Sequence, residues 1–313
     1  MMSLKIIFIV GPTAVGKTEV AIALAERLKG EIVSCDSMQV YKEVSIASSK
    51  PTKEQLKKVP HHLIGIVPVK NNFDVAAFNC RALATIKKIQ KRNKVPIVTG
   101  GSGMYMQVLL DGIFAGEKKA PVRPQAWQKD AESCGSEVLY QRLQAVDPQA
   151  AAKIHPHDTR RIMRALEVFF TQGKPISELQ KKRKGLWGSG QEISIFALNR
   201  EREELYKRIE QRVDQMFIYG IVEEMRGLLS KKLSKTAQGM IGLKEVGGFL
   251  KGEHDLQRAQ YLLKRNTRHF AKRQLTWFRK DKRLQWINVE ENDRVEEIVK
   301  AISLQLSAFS KSF

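Results

Sequence analysis

The stretch Leu4–Thr18, LKIIFIVGPTAVGKT, decides how the rest of the chain is read. Leu4–Val10 is a short apolar run rich in β-branched residues and stopped by Gly11-Pro12, the pattern of a strand buried on both faces. Gly11-Pro12-Thr13-Ala14-Val15-Gly16-Lys17-Thr18 then fits G-x-x-x-x-G-K-[ST]. Glycines let successive backbone N–H groups converge on one anion, and a helix N-terminus adds partial positive charge. In such a loop Lys17 bridges the terminal phosphates and the Thr18 hydroxyl holds Mg²⁺. The helix that the loop needs follows directly, because Val20, Ala21, Leu24, Ala25 and Leu28 share one face of Lys17–Lys29. Strand and helix together argue against a Gly-rich turn that binds nothing. They identify a diphosphate or triphosphate group and no reaction.

Outward from this loop, Glu31–Ser34, Leu63–Val67 and Val95–Thr99 read as further strands, with a helix over Val75–Lys91. Strands alternating with helices predict a parallel sheet covered on both faces. From about Gly116 to Gly190 the pattern is helical and holds no convincing strand. Ile193–Leu198 (ISIFAL) then returns to the sheet, Arg202–Met225 and Asp255–Arg279 read as long helices, and Trp286–Val289 as a last strand. The expected fold class is α/β: a P-loop NTPase-like core with a parallel sheet flanked by helices, formed by residues 1–115 and 191–313, plus a mostly helical insertion domain at 116–190.

Composition narrows the partner. The 313 residues carry 54 Lys+Arg against 33 Asp+Glu, a net charge of +21, which suits a large anion better than a small metabolite. Lys264–Arg283 holds nine basic residues and one acid, Asp281, with Phe270, Trp277 and Phe278 interleaved. Lys153–Lys184 holds nine against Asp158, Glu167 and Glu178. Solvated helix faces are the plain reading of such runs, but guanidinium forks beside aromatic rings favour nucleic acid. A hydrophobic fraction of 42% with 28% charged residues is globular. Cys35, Cys80 and Cys134 are scattered and fit neither a disulfide framework nor zinc spacing. His155, His157 and Cys134 are poorly spaced for a metal, so local capping is the better reading of the histidines. Trp127 and Trp187 read as core of the insertion rather than as base-stacking platforms. No apolar run approaches the ~20 residues that span a bilayer, and no signal-cleavage site follows the first strand. A cytoplasmic protein without membrane contact is expected.

Two further groups belong to the same sheet edge. Asp36 follows the second strand, and ligands of open parallel sheets bind beyond the carboxyl ends of the strands. It reads as a general base or a metal ligand, against a plain N-cap carboxylate. Ser102, in Gly100-Gly101-Ser102-Gly103, offers a hydroxyl on a tight turn after another strand, against a capping role.

Taken in order, GPTAVGKT (11–18), DSMQVYK (36–42), KP (50–51), GGSGMY (100–105), HPHDTRRIMRALEV (155–168), RIEQRV (208–213), IGLKE (241–245) and KRQLTWFR (272–279) resemble the tRNA dimethylallyltransferases, also called tRNA isopentenyltransferases. The likeness runs from the P-loop to Arg279. It implies that Gly11–Thr18 (Gly11, Pro12, Thr13, Ala14, Val15, Gly16, Lys17, Thr18) and Arg212 bind the diphosphate of dimethylallyl diphosphate, with Mg²⁺ on Thr18. It implies transfer of the dimethylallyl group to N6 of adenine 37 in tRNAs reading codons that begin with U. Asp36, Ser102 and Arg123 fall at the family's reaction centre. Asp36, Ser37, Met38 and Gln39 match its contact with the target adenine. Arg160, Arg161, Ile162, Met163 and Arg164, and Arg268, Lys272 and Arg273 within Thr267–Gln274, match its tRNA-contacting segments.

Departures from the family pattern are Ser102 for a usual Thr, Leu243 for a usual Tyr, and Ile46-Ala47-Ser48-Ser49 for Ile-Gly-Thr-Ala. The C-terminus carries no Cys/His finger, so the bacterial form is the better comparison and a monomer is expected. Two rival readings remain at this point: a P-loop kinase of a small metabolite, and a non-catalytic RNA-binding protein switched by a nucleotide. The charge and the second-half arginines argue against the first. Asp36 and Ser102 have no task in the second.

Overall fold

The computed structural model describes residues 5–114 and 136–309. The chain divides into two compact units, Met1–Leu109 with Gly190–Phe313, and Leu110–Ser189.

In the first unit six parallel strands form one sheet: β1 (Ile6–Val10), β2 (Glu31–Ser34), β3 (His61–His62), β4 (Pro96–Gly100), β5 (Ile193–Asn199) and β6 (Gln285–Asn288), in the order β3-β2-β4-β1-β5-β6. The apolar run read from the sequence is the centre of this sheet. Every β1 residue is buried, because β4 and β5 pair with it on either side while helices cover both faces. Ile7, Ile9, Ile97, Phe196 and Leu198 from the strands pack with Val20, Leu24, Leu205, Ile209 and Ile302 from helices.

Its helices are α1 (Lys17–Leu28), α2 (Lys53–Lys58), α3 (Val75–Lys91) and α4 (Gly103–Asp111, whose last two residues enter the second unit). Leu110–Ser189 contributes α5 (Ser136–Val146), α6 (Pro148–Ala151), α7 (Thr159–Gln172) and α8 (Ile176–Lys181). Back in the first unit follow α9 (Arg202–Ile218), α10 (Ile221–Leu229), α11 (Leu243–Leu250), α12 (Leu256–Phe278) and α13 (Val295–Phe309).

Among its described residues the second unit is all helix, around Leu139, Leu143, Ala150, Ile162, Ala165 and Leu166. Asp147 is buried at its centre: one carboxylate oxygen caps α6 through Ala150 N–H (2.9 Å) and the other accepts from Ser177 N–H (2.9 Å).

Three expectations need correction. The strand placed at Leu63–Val67 is instead the two-residue β3, because Leu63 adopts φ 64° and breaks the extended run; only Val67 keeps a bridge, to Tyr41. The single helix over Arg202–Met225 is two, since Gly220 at φ 92° turns the chain between α9 and α10. Trp187, expected in the core of the insertion, is 46% exposed.

Candidate active site

The phosphate loop connects β1 to α1 beyond the carboxyl end of the strand. Glycine is obligatory at its start: Gly11 has φ 144°, and an added Cβ would lie 2.6 Å from the Leu198 carbonyl oxygen. Gly16, at φ 103°, opens α1 without a side-chain cap. The first-turn N–H groups therefore keep their capacity for an anion, whereas α3 is capped by Asp74. Ala14 holds the left-handed conformation (φ 63°), strain of the kind that functional loops store. Lys17 Nζ donates to the Pro12 carbonyl at 2.5 Å. Burial and the neighbouring Arg212 push its pKa down to about 7, against the opposing pull of Asp36 and Glu19.

Three arginines grip consecutive residues of this loop. Arg200 Nε donates to the Val15 carbonyl (3.1 Å), Arg208 Nε to the Ala14 carbonyl (2.9 Å), and Arg212 Nη1 to the Thr13 hydroxyl (3.2 Å). Arg208 and Arg212 share a face of α9 by their spacing of four. Arg212 also donates from Nε to Ser49 Oγ (2.7 Å). Burial lowers the pKa of both Arg208 and Arg212, so their charges stand poorly hydrated and ready for an anion. Arg200, unnoticed in the sequence because it precedes its helix, is buried and bonded to Glu204 and to the Glu290 carbonyl (2.9 Å).

Asp36 lies beyond β2. Its Oδ1 accepts from Met38 N–H (2.8 Å) and Gln39 N–H (3.2 Å), forming a turn rather than the cap of a helix. Its charge acts on both Lys17 and Arg212, which places the carboxylate with the two cations. Ser37 N–H donates to Ser102 Oγ (3.2 Å), so β2 and β4 bring Asp36 and Ser102 to adjacent turns. Ser37, Met38 and Gln39 are half-buried, and Gln39 is committed to structure: it bonds Ser34 Oγ (2.9 Å) and the carbonyls of Ser48 (3.3 Å) and Ser49 (3.2 Å). The atypical loop Ile46–Ser49 is held by Glu224 of α10, whose carboxylate accepts the N–H groups of Ser45 (2.8 Å), Ile46 (2.8 Å) and Ala47 (2.9 Å). Leu243 is buried at the start of α11.

The residues matched to tRNA segments divide by exposure. Arg160, Arg161 and Arg164 are exposed on α7, the last two paired with Asp158 (3.1 Å) and Glu167 (3.3 Å). Ile162 is a correction: it is fully buried in the helical core, with Met163 packed against that core, so it offers no surface to RNA. Arg268 is half-buried, ion-paired with Glu210 of α9 (2.5 Å) and lying over the Tyr206 ring. Lys272 and Arg273 are exposed on α12, and Lys272 lines a cavity of about 370 Å³ with Arg202, Tyr206, Thr276 and Arg279. A larger cavity, about 720 Å³, is walled by Glu201, Glu203, Glu204, Glu290 and Glu291 and repels a diphosphate. Arg123 lies outside the described residues.

A parallel sheet whose first strand feeds a G-x-x-x-x-G-K-[ST] loop, with a carboxylate and desolvated cations at the same edge, defines a P-loop-type α/β protein. A family model described as IPP transferase matches residues 39–281, and the chain belongs to that family. The tRNA dimethylallyltransferase of Natranaerobius thermophilus is 42% identical over 309 residues, 97% of this chain and 92% of the relative. That of Geobacter metallireducens is 44% identical over 285 residues, 90% and 92%. Among solved structures, the tRNA isopentenylpyrophosphate transferase of Bacillus halodurans superposes with TM-score 0.71 at 36% identity, covering 98% of each chain. A eukaryotic dimethylallyltransferase described as acting on tRNA gives TM-score 0.84 at 28% identity, covering 99% of this chain and 80% of that one. These relatives give the kinase reading no support.

Proposed function

We propose that this chain transfers the dimethylallyl group of dimethylallyl diphosphate to N6 of adenine 37 in tRNAs reading codons that begin with U. The observation that carries the chemistry is that Lys17 and Arg212 are both bonded to the P-loop, at Pro12 and Thr13, at the same carboxyl edge of the sheet as the Asp36 turn.

The amine of adenine is a poor nucleophile because its lone pair is delocalised into the ring. Asp36 accepts a hydrogen bond from N6–H, orients the amine and takes the proton as the new N6–C bond forms. Oδ1 is held by two backbone N–H groups, and among the described residues no hydrogen bond reaches Oδ2, which is the oxygen left for substrate. The breaking C–O bond leaves its electron pair on the diphosphate. Lys17, Arg212 and the loop amides face that charge as it grows, where poor hydration strengthens their effect. The Ser102 hydroxyl, already accepting from Ser37 N–H, keeps its hydrogen for an oxygen of the leaving group.

The residues present fit Mg²⁺. This ion keeps several waters and is commonly bound by one or two protein oxygens together with substrate phosphates. Among the described residues no group of three His, Cys, Asp or Glu forms a cage, so Thr18 on the first turn of α1 would share the ion with the diphosphate. When bound it neutralises charge on the departing group. The exposed cations Lys272 and Arg273, with Arg160, Arg161 and Arg164, are assigned to the tRNA backbone, and the target base leaves its stack to reach Asp36.

The test is label transfer from dimethylallyl diphosphate to an anticodon stem-loop with adenines at 36–38, with and without Mg²⁺. A stem-loop with guanine at 37 is the control. Label on the adenine substrate alone is expected; label on both substrates, or on neither, overturns the assignment.

A further inference from the structure

We infer that Gln274 is a positioning residue that sets the spacing between the diphosphate loop and the turn carrying Ser102. It stands on α12, in the segment matched to tRNA contact, yet its side chain is 6% exposed and faces inward. Its amide spans the two loops: Oε1 accepts from Thr13 N–H at 2.8 Å and Nε2 donates to the Gly101 carbonyl at 2.9 Å. One loop follows β1 and the other β4, and these neighbours in the sheet have no other side chain joining their turns among the hydrogen bonds of the described residues.

The fit at the turn is close, and a side chain at Gly101 would have to displace the Gln274 amide. A Cβ at Gly101 would lie 2.2 Å from Gln274 Nε2, and a Cβ at Gly103 would lie 2.2 Å from Trp277 Cδ1. Gln274 and Trp277 are three apart on one helix face, so α12 presses both into the Gly-Gly-Ser-Gly turn. Gly101 has no left-handed φ; glycine is needed there for the approach of Gln274 and not for its backbone. The amide also occupies the Thr13 N–H, which anchors the loop at that residue. Lys272 and Arg273, just before Gln274 on the same helix, are exposed. The helix that carries cations assigned to RNA thereby also holds the group that aligns the diphosphate loop with the Ser102 turn.

This inference rests on the transfer reading, and its test separates the two. Inorganic diphosphate binding is measured calorimetrically for the wild type, Gln274→Met, Gln274→Ala, Gly101→Ala and the Gln274→Ala/Gly101→Ala double variant, beside KM and kcat for transfer. Gln274→Met keeps the volume and removes both hydrogen bonds. It is expected to weaken diphosphate binding and raise the KM for dimethylallyl diphosphate about tenfold, since small misplacements of reacting groups cost this much or more, with tRNA affinity unchanged. Gly101→Ala is expected to be as damaging in the wild type but nearly silent in the Gln274→Ala background, where the colliding amide is gone. Equal damage by Gly101→Ala in both backgrounds overturns the inference, as does Gln274→Met that folds and binds diphosphate like the wild type. Loss of tRNA affinity alone also overturns it. A wild type that binds diphosphate but transfers nothing refutes the transfer reading, while the binding cycle still decides the role of Gln274.

Discussion

Asp36 and Lys17 occupy one site and differ in how their charges are held. Asp36 is anchored through Oδ1 by Met38 and Gln39 N–H groups, an arrangement Asn can keep at that oxygen while losing basicity. Asp36→Asn is expected to lower kcat by about 10²–10⁴, the usual contribution of a placed general base, with tRNA affinity within a small factor. Single-turnover transfer measures it, and unimpaired turnover refutes the role. Lys17 is held near neutrality by burial and Arg212, with a pKa of about 7. A bound diphosphate restores its proton, so binding takes up a proton once the pH exceeds about 7. Affinity for inorganic diphosphate is then expected to fall as pH rises through 7 to 9, at most about tenfold per pH unit. Lys17→Arg, protonated throughout, removes that dependence. Calorimetry in buffers of different ionisation enthalpy reads the proton uptake directly.

Among the secondary elements, the sheet edge away from the site is fastened by one buried carboxylate. Glu31 opens β2 and accepts from Arg92, which ends α3 (3.2 and 2.6 Å), and bonds His62 of β3 (2.7 Å). Burial pushes its pKa up, but the hydrogen bonds from Arg92 and His62 outweigh this and leave it below the ordinary 4.5. A depressed carboxylate stabilises the fold above its unfolded pKa and loses that contribution as pH falls through the folded value. Glu31→Gln is thus expected to cost about 1–3 kcal/mol at pH 7, and the difference from wild type should shrink below pH 4.5. Denaturant unfolding at pH 7 and at pH 3.5 measures both. The same scale explains the edge itself: β3 has two residues because Leu63 turns left-handed behind it.

At the scale of the whole molecule the net charge of +21 governs how the protein meets a polyanion. Neutralising Lys272 and Arg273 together is expected to lower the slope of log affinity against log salt for the stem-loop by about 0.7–0.9 per lost phosphate contact, with the KM for dimethylallyl diphosphate unchanged. Neutralising Arg160, Arg161 and Arg164 should act likewise, less strongly per residue where Asp158 and Glu167 already pair two of them. An unchanged slope removes these residues from the interface. No described helix is long and apolar enough to cross a membrane.

Local patterns proved sufficient wherever one segment carries its own information. The β1 run, the phosphate motif and α1 are contiguous, and α3 spans the residues expected, Val75–Lys91, because its apolar period and the Asp74 cap are both local. The order of motifs also placed Asp36 and Ser102 after strands, and the structure brings their turns together. What the sequence did not yield are contacts between distant segments. Gln274 is 261 residues from Thr13, and no periodicity distinguishes it from Lys272 beside it; Arg200 lies 185 from Val15. Ile162 reads like its exposed neighbours until packing buries it. Strand, loop and helix follow from short-range sterics and burial period. Which amide or guanidinium meets the loop is decided only when the sheet order carries remote helices to one edge.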